Sequence, residues 1–298
     1  MMLLAFLAQT LRIVIPYLLA AAGGVLSERV GVVALTLEGF MLTGAFTAAL
    51  GSYYGNSPWV GVACGVLGGV ALALLHGYGS VKAKADQVVV GIALNLLAIG
   101  ATRFFLRFAF DSSSNSPRVP GFGGEGAGGT GVGATFLATA ANPLVWIGLL
   151  TLPVTAWLLY RTPFGLRARA VGEKPEAAAS LGVPVDRVRW IGVALAGACA
   201  GLAGAYLALD QHQFTDGMTA GRGFIALAAV IFGRWDPKRV ALACLLFAAA
   251  ETFQIQLQGA QLIPSQFVEM IPYALTIVAL AGVVGRVRPP AALGRDDG

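Results

Sequence analysis

Apolar runs long enough to cross a bilayer follow one another along almost the whole of this chain, and that succession restricts the fold more than any motif does. A helix rises about 1.5 Å per residue, so roughly 20 apolar residues span the hydrocarbon layer. Reading the runs in order gives about nine segments (roughly eight to ten): 3 to 26, 32 to 52, 59 to 79, 87 to 109, 142 to 160, 190 to 209, 221 to 233, 239 to 258 and 266 to 285. With 57% hydrophobic residues, 12% charged residues and a mean hydropathy of +0.75, the 298 residues cannot hide their apolar surface in a water-soluble core. The expectation is an all-α, polytopic transmembrane helical bundle occupying 1–298 as a single domain. No basic residue precedes the apolar start and Arg12 interrupts it, which speaks against a cleavable leader; Arg12 with Pro16 leaves residues 1 to 10 able to lie along the interface.

Charge sets the orientation. Of the 20 Lys and Arg, Arg118 and Arg222 fall in outer segments, Arg12, Arg103 and Arg107 lie within runs, and the others gather on one side. The excess of basic residues marks that side as cytoplasmic, with the N-terminus outside and the C-terminus inside. This distribution also accounts for the net charge of +5 without nucleic acid as a partner. Cys64, Cys199 and Cys244 are scattered through apolar runs and the two histidines are far apart, so neither a disulfide nor a metal site is expected.

The longest charged interruption, Arg161 to Trp190, is where the chain meets something in water. Within this 161–189 loop, Pro175 suits the first position of a helix, Glu176 suits the positive end of its dipole, Ala177 and Ala178 are strong helix formers, and Gly182 can close it. About two turns result. A helix so short is marginal in water and persists by docking, either on its own membrane domain or on a partner.

The arrangement G-x-x-P-x-A-A-x-x-x-G-V, carried by Gly172, Pro175, Ala177, Ala178, Gly182 and Val183, resembles the coupling loop of bacterial ABC importer permeases. Three further blocks extend the resemblance from about Thr10 to Gly285: SERVGVVALTLEGFML from Ser27, QVVVGIALN from Gln87 and GRGFIALAAVIFGRWDP from Gly221. Together they are similar to the sugar and nucleoside permeases, most nearly to the nucleoside branch. The resemblance implies several partners: a cytoplasmic ABC ATPase subunit gripping the loop, a second permease subunit, identical or homologous, and an external substrate-binding protein or lipoprotein. It implies no cofactor and no catalysis by this chain. The sequence agrees, since no G-x-x-x-x-G-K-[ST] run is present. Gly121 to Gly126 matches G-x-G-x-x-G by chance, in the outer loop 110–141.

Polar groups inside apolar runs are costly in lipid and are the candidates for a solute pathway. Glu38 lies in the interrupted second run, and either faces the path or pairs with a cation or a helix end. Gln87 and Asn95 are two turns apart on one helix, facing a common cavity or making interhelical hydrogen bonds. Glu251 with Gln254 and Gln258 forms a stripe that faces a path or a partner, and Phe224 offers a surface on which a base could stack. Two short Gly-rich segments, after Ser27 and after Gly217, occupy matching positions in the two halves and suggest inverted-topology repeats with broken helices. Gly61, Gly65 and Gly69, and separately Gly197 and Gly201, are read as packing faces.

Overall fold

The computed structural model describes residues 2–122, 139–260 and 288–295, and its regular structure is helical. The chain begins with α1 (Met2–Glu28), α2 (Leu37–Gly55), α3 (Pro58–Gly77), a π-helical turn (Tyr78–Lys82) and α4 (Gln87–Phe110). It continues with α5 (Pro143–Arg161), α6 (Pro163–Glu173), α7 (Pro175–Ser180), α8 (Val185–Asp210), α9 (Arg222–Phe232) and α10 (Pro237–Ala260). Among the described residues no strand forms beyond one isolated bridge between Asn115 and Thr215.

Local chemistry sets where these helices start. Proline opens α3, α5, α6 and α7, where its missing N–H costs nothing because the first-turn donors have no intrahelical partner. Side chains satisfy some of the remaining donors. Asp86 accepts from Val88 N–H at 2.8 Å and Val89 N–H at 3.0 Å, Asn142 from Leu144 N–H at 3.0 Å, and Thr162 from Gly165 N–H at 3.2 Å.

Six of the described helices are long and apolar enough to cross a membrane, within 5–28, 58–82, 87–110, 143–161, 185–210 and 237–258. The expected runs at 32 to 52 and 221 to 233 take other forms. The first becomes α2, which starts only at Leu37, and the second becomes α9, an apolar helix of 11 residues. The expected run at 266 to 285 lies outside the described residues. Pro16 does not break the first run: α1 continues through it as one helix of 27 residues. Tertiary contacts outweigh the local cost, for Ile15, Tyr17, Leu19, Ala20 and Ala21 are all buried beside it.

The densest packing joins α2, α3 and α8, and the two glycine faces read from the sequence meet there. A methyl group on Gly69 would lie 2.2 Å from Gly197 O, and one on Gly201 would lie 2.5 Å from Gly65 O. Only hydrogen at these Cα atoms lets the helix backbones approach so closely. Gly44 on α2 completes the set, 2.5 Å from Gly201 Cα by the same measure.

Candidate functional site

Two non-helical excursions meet inside the bundle. The first follows α1 and occupies residues 29–36, held by buried polar contacts at both ends. At its start, Ser27 Oγ donates to Val32 O at 2.9 Å, and the Glu28 carboxylate accepts from Ala34 N–H at 3.3 Å and from the Trp235 indole N–H. Arg29 donates to Trp235 O at 2.9 Å, tying the same place to the turn after α9. At its far end, α4 supplies the two amides singled out above. Gln87 Oε1 accepts from Val33 N–H at 2.8 Å; Asn95 Oδ1 accepts from Gly39 N–H at 2.8 Å while its Nδ2 donates to Leu35 O at 2.9 Å. Both amides are buried on one face of α4, as the eight-residue spacing implies, and their polar atoms hold the backbone of the turn.

The second excursion, residues 211–221, follows α8. Part of the outer loop is paired along it, with Asp216 N–H donating to Ser114 O, Ser116 N–H to Phe214 O and Val119 N–H to His212 O, each at 2.8 Å. The 112–120 part of that loop is therefore ordered by contacts within its own chain. Arg103 adds an ion pair to Asp216 at 2.6 Å.

Glu38 joins the two excursions. Its Oε1 accepts from Gly221 N–H at 2.9 Å and its Oε2 from Gly223 N–H at 2.7 Å, so a carboxylate in the first turn of α2 closes the N-terminus of α9. Of its two readings in the sequence, the helix-end contact is the one that the geometry displays. Aligned peptide dipoles leave partial positive charge at that end, which an anion offsets. Gly223 makes the contact possible, because a methyl group there would sit 2.5 Å from Glu38 Cα.

Glu251 stands next to this junction. It forms an ion pair with Arg222 at 2.8 Å and accepts from the Tyr17 hydroxyl, linking α1, α9 and α10. Arg222 was legible only as an outer cation and Tyr17 not at all. The signal available for Arg222 was its place between two glycines at the head of the GRGF block. Phe224, about half a turn along α9 from Arg222, is 46% exposed and lies on the open side of that helix, away from buried Ala226 and Val230.

On the basic side, α6 and α7 form an elbow. Gly172 near the end of α6 is buried, and a methyl group on it would lie 2.2 Å from Arg29 O. Pro175 opens α7, and Glu176 and Ala177 are exposed. Ala178 is turned inward and only 4% exposed, so of the two alanines expected to share a role one is buried and the other, Ala177, is exposed. Gly182, at φ +80, ends the elbow in the left-handed conformation, with Gly182 N–H donating to Ala179 O at 2.9 Å and Val183 N–H to Ala178 O at 3.1 Å. Leu181 stands out beside it, 84% exposed.

A helical bundle with six helices long and apolar enough to cross a membrane, broken segments meeting in its interior and a charged elbow on one side is the architecture of a polytopic membrane protein. Residues 6–280 match the family described as branched-chain amino acid transport system / permease component, and the chain belongs to that family. It is similar to the guanosine ABC transporter permease protein NupQ of Bacillus subtilis, 36% identical over 94% of this chain and 92% of that one. It is also similar to the nucleoside ABC transporter permease protein NupC of Lactococcus lactis, 35% identical over 94% and 92% of the two chains. Among solved structures, one of an ABC transporter assigned to the metal-chelate type, in an inward-facing conformation, superposes with a TM-score of 0.56. It covers 92% of this chain and 85% of that one at 17% identity, a likeness of fold.

Proposed function

We propose that this chain is the membrane-spanning subunit of an ATP-driven importer of nucleosides. The observation that carries the substrate class is similarity over nearly the full length to two permeases named for guanosine and for nucleosides. As a permease component the chain is not itself an enzyme; hydrolysis belongs to a separate ATPase subunit, and a second permease and an external binding protein complete the assembly. About nine membrane segments arranged as inverted repeats account for the paired excursions, one entering after α1 and the other after α8, with α2 and α9 as corresponding half-helices.

In this reading the solute passes along the open side of α9. Phe224 offers a flat face to the base, and the Arg222–Glu251 pair at the head of the same helix supplies charge for the polar part of a nucleoside. Glu38, Gln87 and Asn95 shape the path by fixing the backbone that bounds it. The 161–189 segment is the cytoplasmic coupling loop. Glu176, Ala177 and Leu181 present its outer surface to the ATPase, while Pro175, Ala178, Gly172 and Gly182 fix its shape.

Uptake of labelled guanosine, uridine and ribose by the complex reconstituted in vesicles tests the substrate. Nucleoside uptake that requires ATP, with ribose at background, is the expected result. Ribose uptake without nucleoside uptake would refute the nucleoside reading.

Orientation is tested separately. In a background lacking Cys64, Cys199 and Cys244, a cysteine replacing exposed Ser113 is expected to react with an impermeant maleimide added outside intact cells, and one replacing exposed Ser180 is not. The opposite labelling would place the elbow outside and remove it from any cytoplasmic ATPase.

A further inference from the structure

Residues 288–295 make a compact turn on the basic side. Leu293 N–H donates to Pro290 O at 3.0 Å and Arg295 N–H to Ala292 O at 3.2 Å. The turn is seated between two elements described above. Ala292 N–H donates to Gly172 O at 2.9 Å, at the elbow between α6 and α7, and Gly294 N–H donates to Gly31 O at 3.3 Å, at the start of the first excursion. Ala292 is 2% exposed.

The small residues here are required by the fit. Gly31 has φ +89, and a methyl group on it would lie 3.3 Å from Ala292 O and 3.6 Å from Ala292 Cβ. Gly294, at φ +70, faces Val33 Cγ2 at 3.3 Å by the same measure. Elbow, turn and excursion are thus joined backbone to backbone, with no long side chain between them to absorb a shift. Contacts of this density pass displacements on rather than dissipating them.

The turn also reaches the coupling helix from its other side. Arg295 lines a cavity of about 280 Å³ together with Pro175, Glu176 and Ala179 of the α7 region and with Ser80 and Lys84 beside the π-helical turn. From Gly31 the connection runs onward through polar contacts already described: Gln87 to Val33, Asn95 to Leu35 and Gly39, and Glu38 to the head of α9.

We propose that residues 290–295 form a transmission strap, in which the backbone contacts of Ala292 and Gly294 carry movement of the coupling elbow to the first excursion. Ala292, Gly31 and Gly172 are positioning residues for transport; none of them touches the solute. The inference rests on the reading of the elbow as the ATPase contact, and it adds the route by which that contact reaches the interior.

The test uses the whole complex in vesicles and reads the number of solute molecules imported per ATP hydrolysed. Ala292→Pro removes the N–H that binds Gly172 O, Ala292→Gly retains it, and truncation after Pro290 removes the strap. Ala292→Pro and the truncated chain are expected to reach the membrane, to copurify with the ATPase and to hydrolyse ATP, while importing at least tenfold less solute per ATP. Ala292→Gly is expected to import within about twofold of the wild type. A ratio unchanged in Ala292→Pro would overturn the strap, as would an equal loss in Ala292→Gly. Failure of both Ala292→Pro and the truncated chain to accumulate would overturn it as well, by making the segment a folding staple. Wild-type uptake without dependence on ATP would overturn the importer reading, and the strap with it; the other outcomes leave that reading standing.

Discussion

Gly204→Val is expected to remove most of the folded protein from the membrane. Gly204 lies on α8 where it crosses α2, and a methyl group on it would lie 1.9 Å from Met41 O and 2.6 Å from Ala45 N. Both neighbours are backbone atoms of a helix, so no rotamer change can relieve the overlap and the two helices must separate. Separation would also loosen the contact between Gly44 and Gly201 on the same pair of helices. Overpacking a dense core costs about 1–3 kcal/mol even where side chains can adjust. Here the cost is expected at the upper end or beyond, which corresponds to a fall in unfolding temperature of about 5 °C or more. Gly100→Ala is the matched control. No atom lies within 4 Å of the position its methyl group would take, and alanine favours a helix over glycine by about 1 kcal/mol, so it is expected to be neutral or slightly stabilising. Thermal unfolding of the purified variants, followed by size-exclusion elution, decides the matter. Equal melting of Gly204→Val and Gly100→Ala would contradict the close approach of α2 and α8.

The glycine spacing that makes this interface was visible in the sequence because helix geometry turns a four-residue interval into one face. Gly61, Gly65 and Gly69 needed only that rule, and Gly197 with Gly201 likewise. Which face met which was not visible, since identical small-residue stripes carry no information about their partners. The elbow was legible for a related reason. Pro175 at the first position and Gly182 after the end are local requirements of a short helix, and the observed α7 obeys them. The inward turn of Ala178 was hidden, because two adjacent alanines differ only in what surrounds them. The helix α6 before it was also not anticipated; its charges made the stretch look like loop, although Thr162 and Pro163 together form a start signal.

The polar residues illustrate the same division. Apolar runs announce that Glu38, Gln87, Asn95 and Glu251 must be satisfied by something, but not by what. For Gln87 and Asn95 the satisfying groups are peptide units of residues 33–39, in the segment the sequence marks as a broken helix without showing what holds the break. A chain segment that leaves helical geometry inside a bundle must find donors and acceptors for its own backbone, so amides on the neighbouring helix are spent on it. Tyr17 and Trp235 were missed because aromatic residues in such chains are far more often apolar filling than hydrogen-bond donors to a carboxylate.

Glu38 is where removal of one side chain is expected to cost most in function. Glu38→Ala would leave the N–H groups of Gly221 and Gly223 without their acceptor in a buried place, at about 1–3 kcal/mol each, and would remove the anion at the head of α9. Glu38→Gln is expected to fare little better. One amide oxygen can still accept, but the amide N–H₂ would then face a backbone N–H across the 2.7–2.9 Å now occupied by hydrogen bonds. Glu38→Asp keeps the charge with a shorter reach and should fall between. The expected order for both thermal stability and uptake rate is therefore Glu, then Asp, then Gln and Ala together, with a loss of more than tenfold in uptake for the last two. The two measurements must move together if the carboxylate acts by holding α9. A Glu38→Gln protein as stable as the wild type, with a raised KM for nucleoside and an unchanged ATPase rate, would instead make the carboxylate a direct contact of the solute and leave the head of α9 held by Arg222 and Glu251.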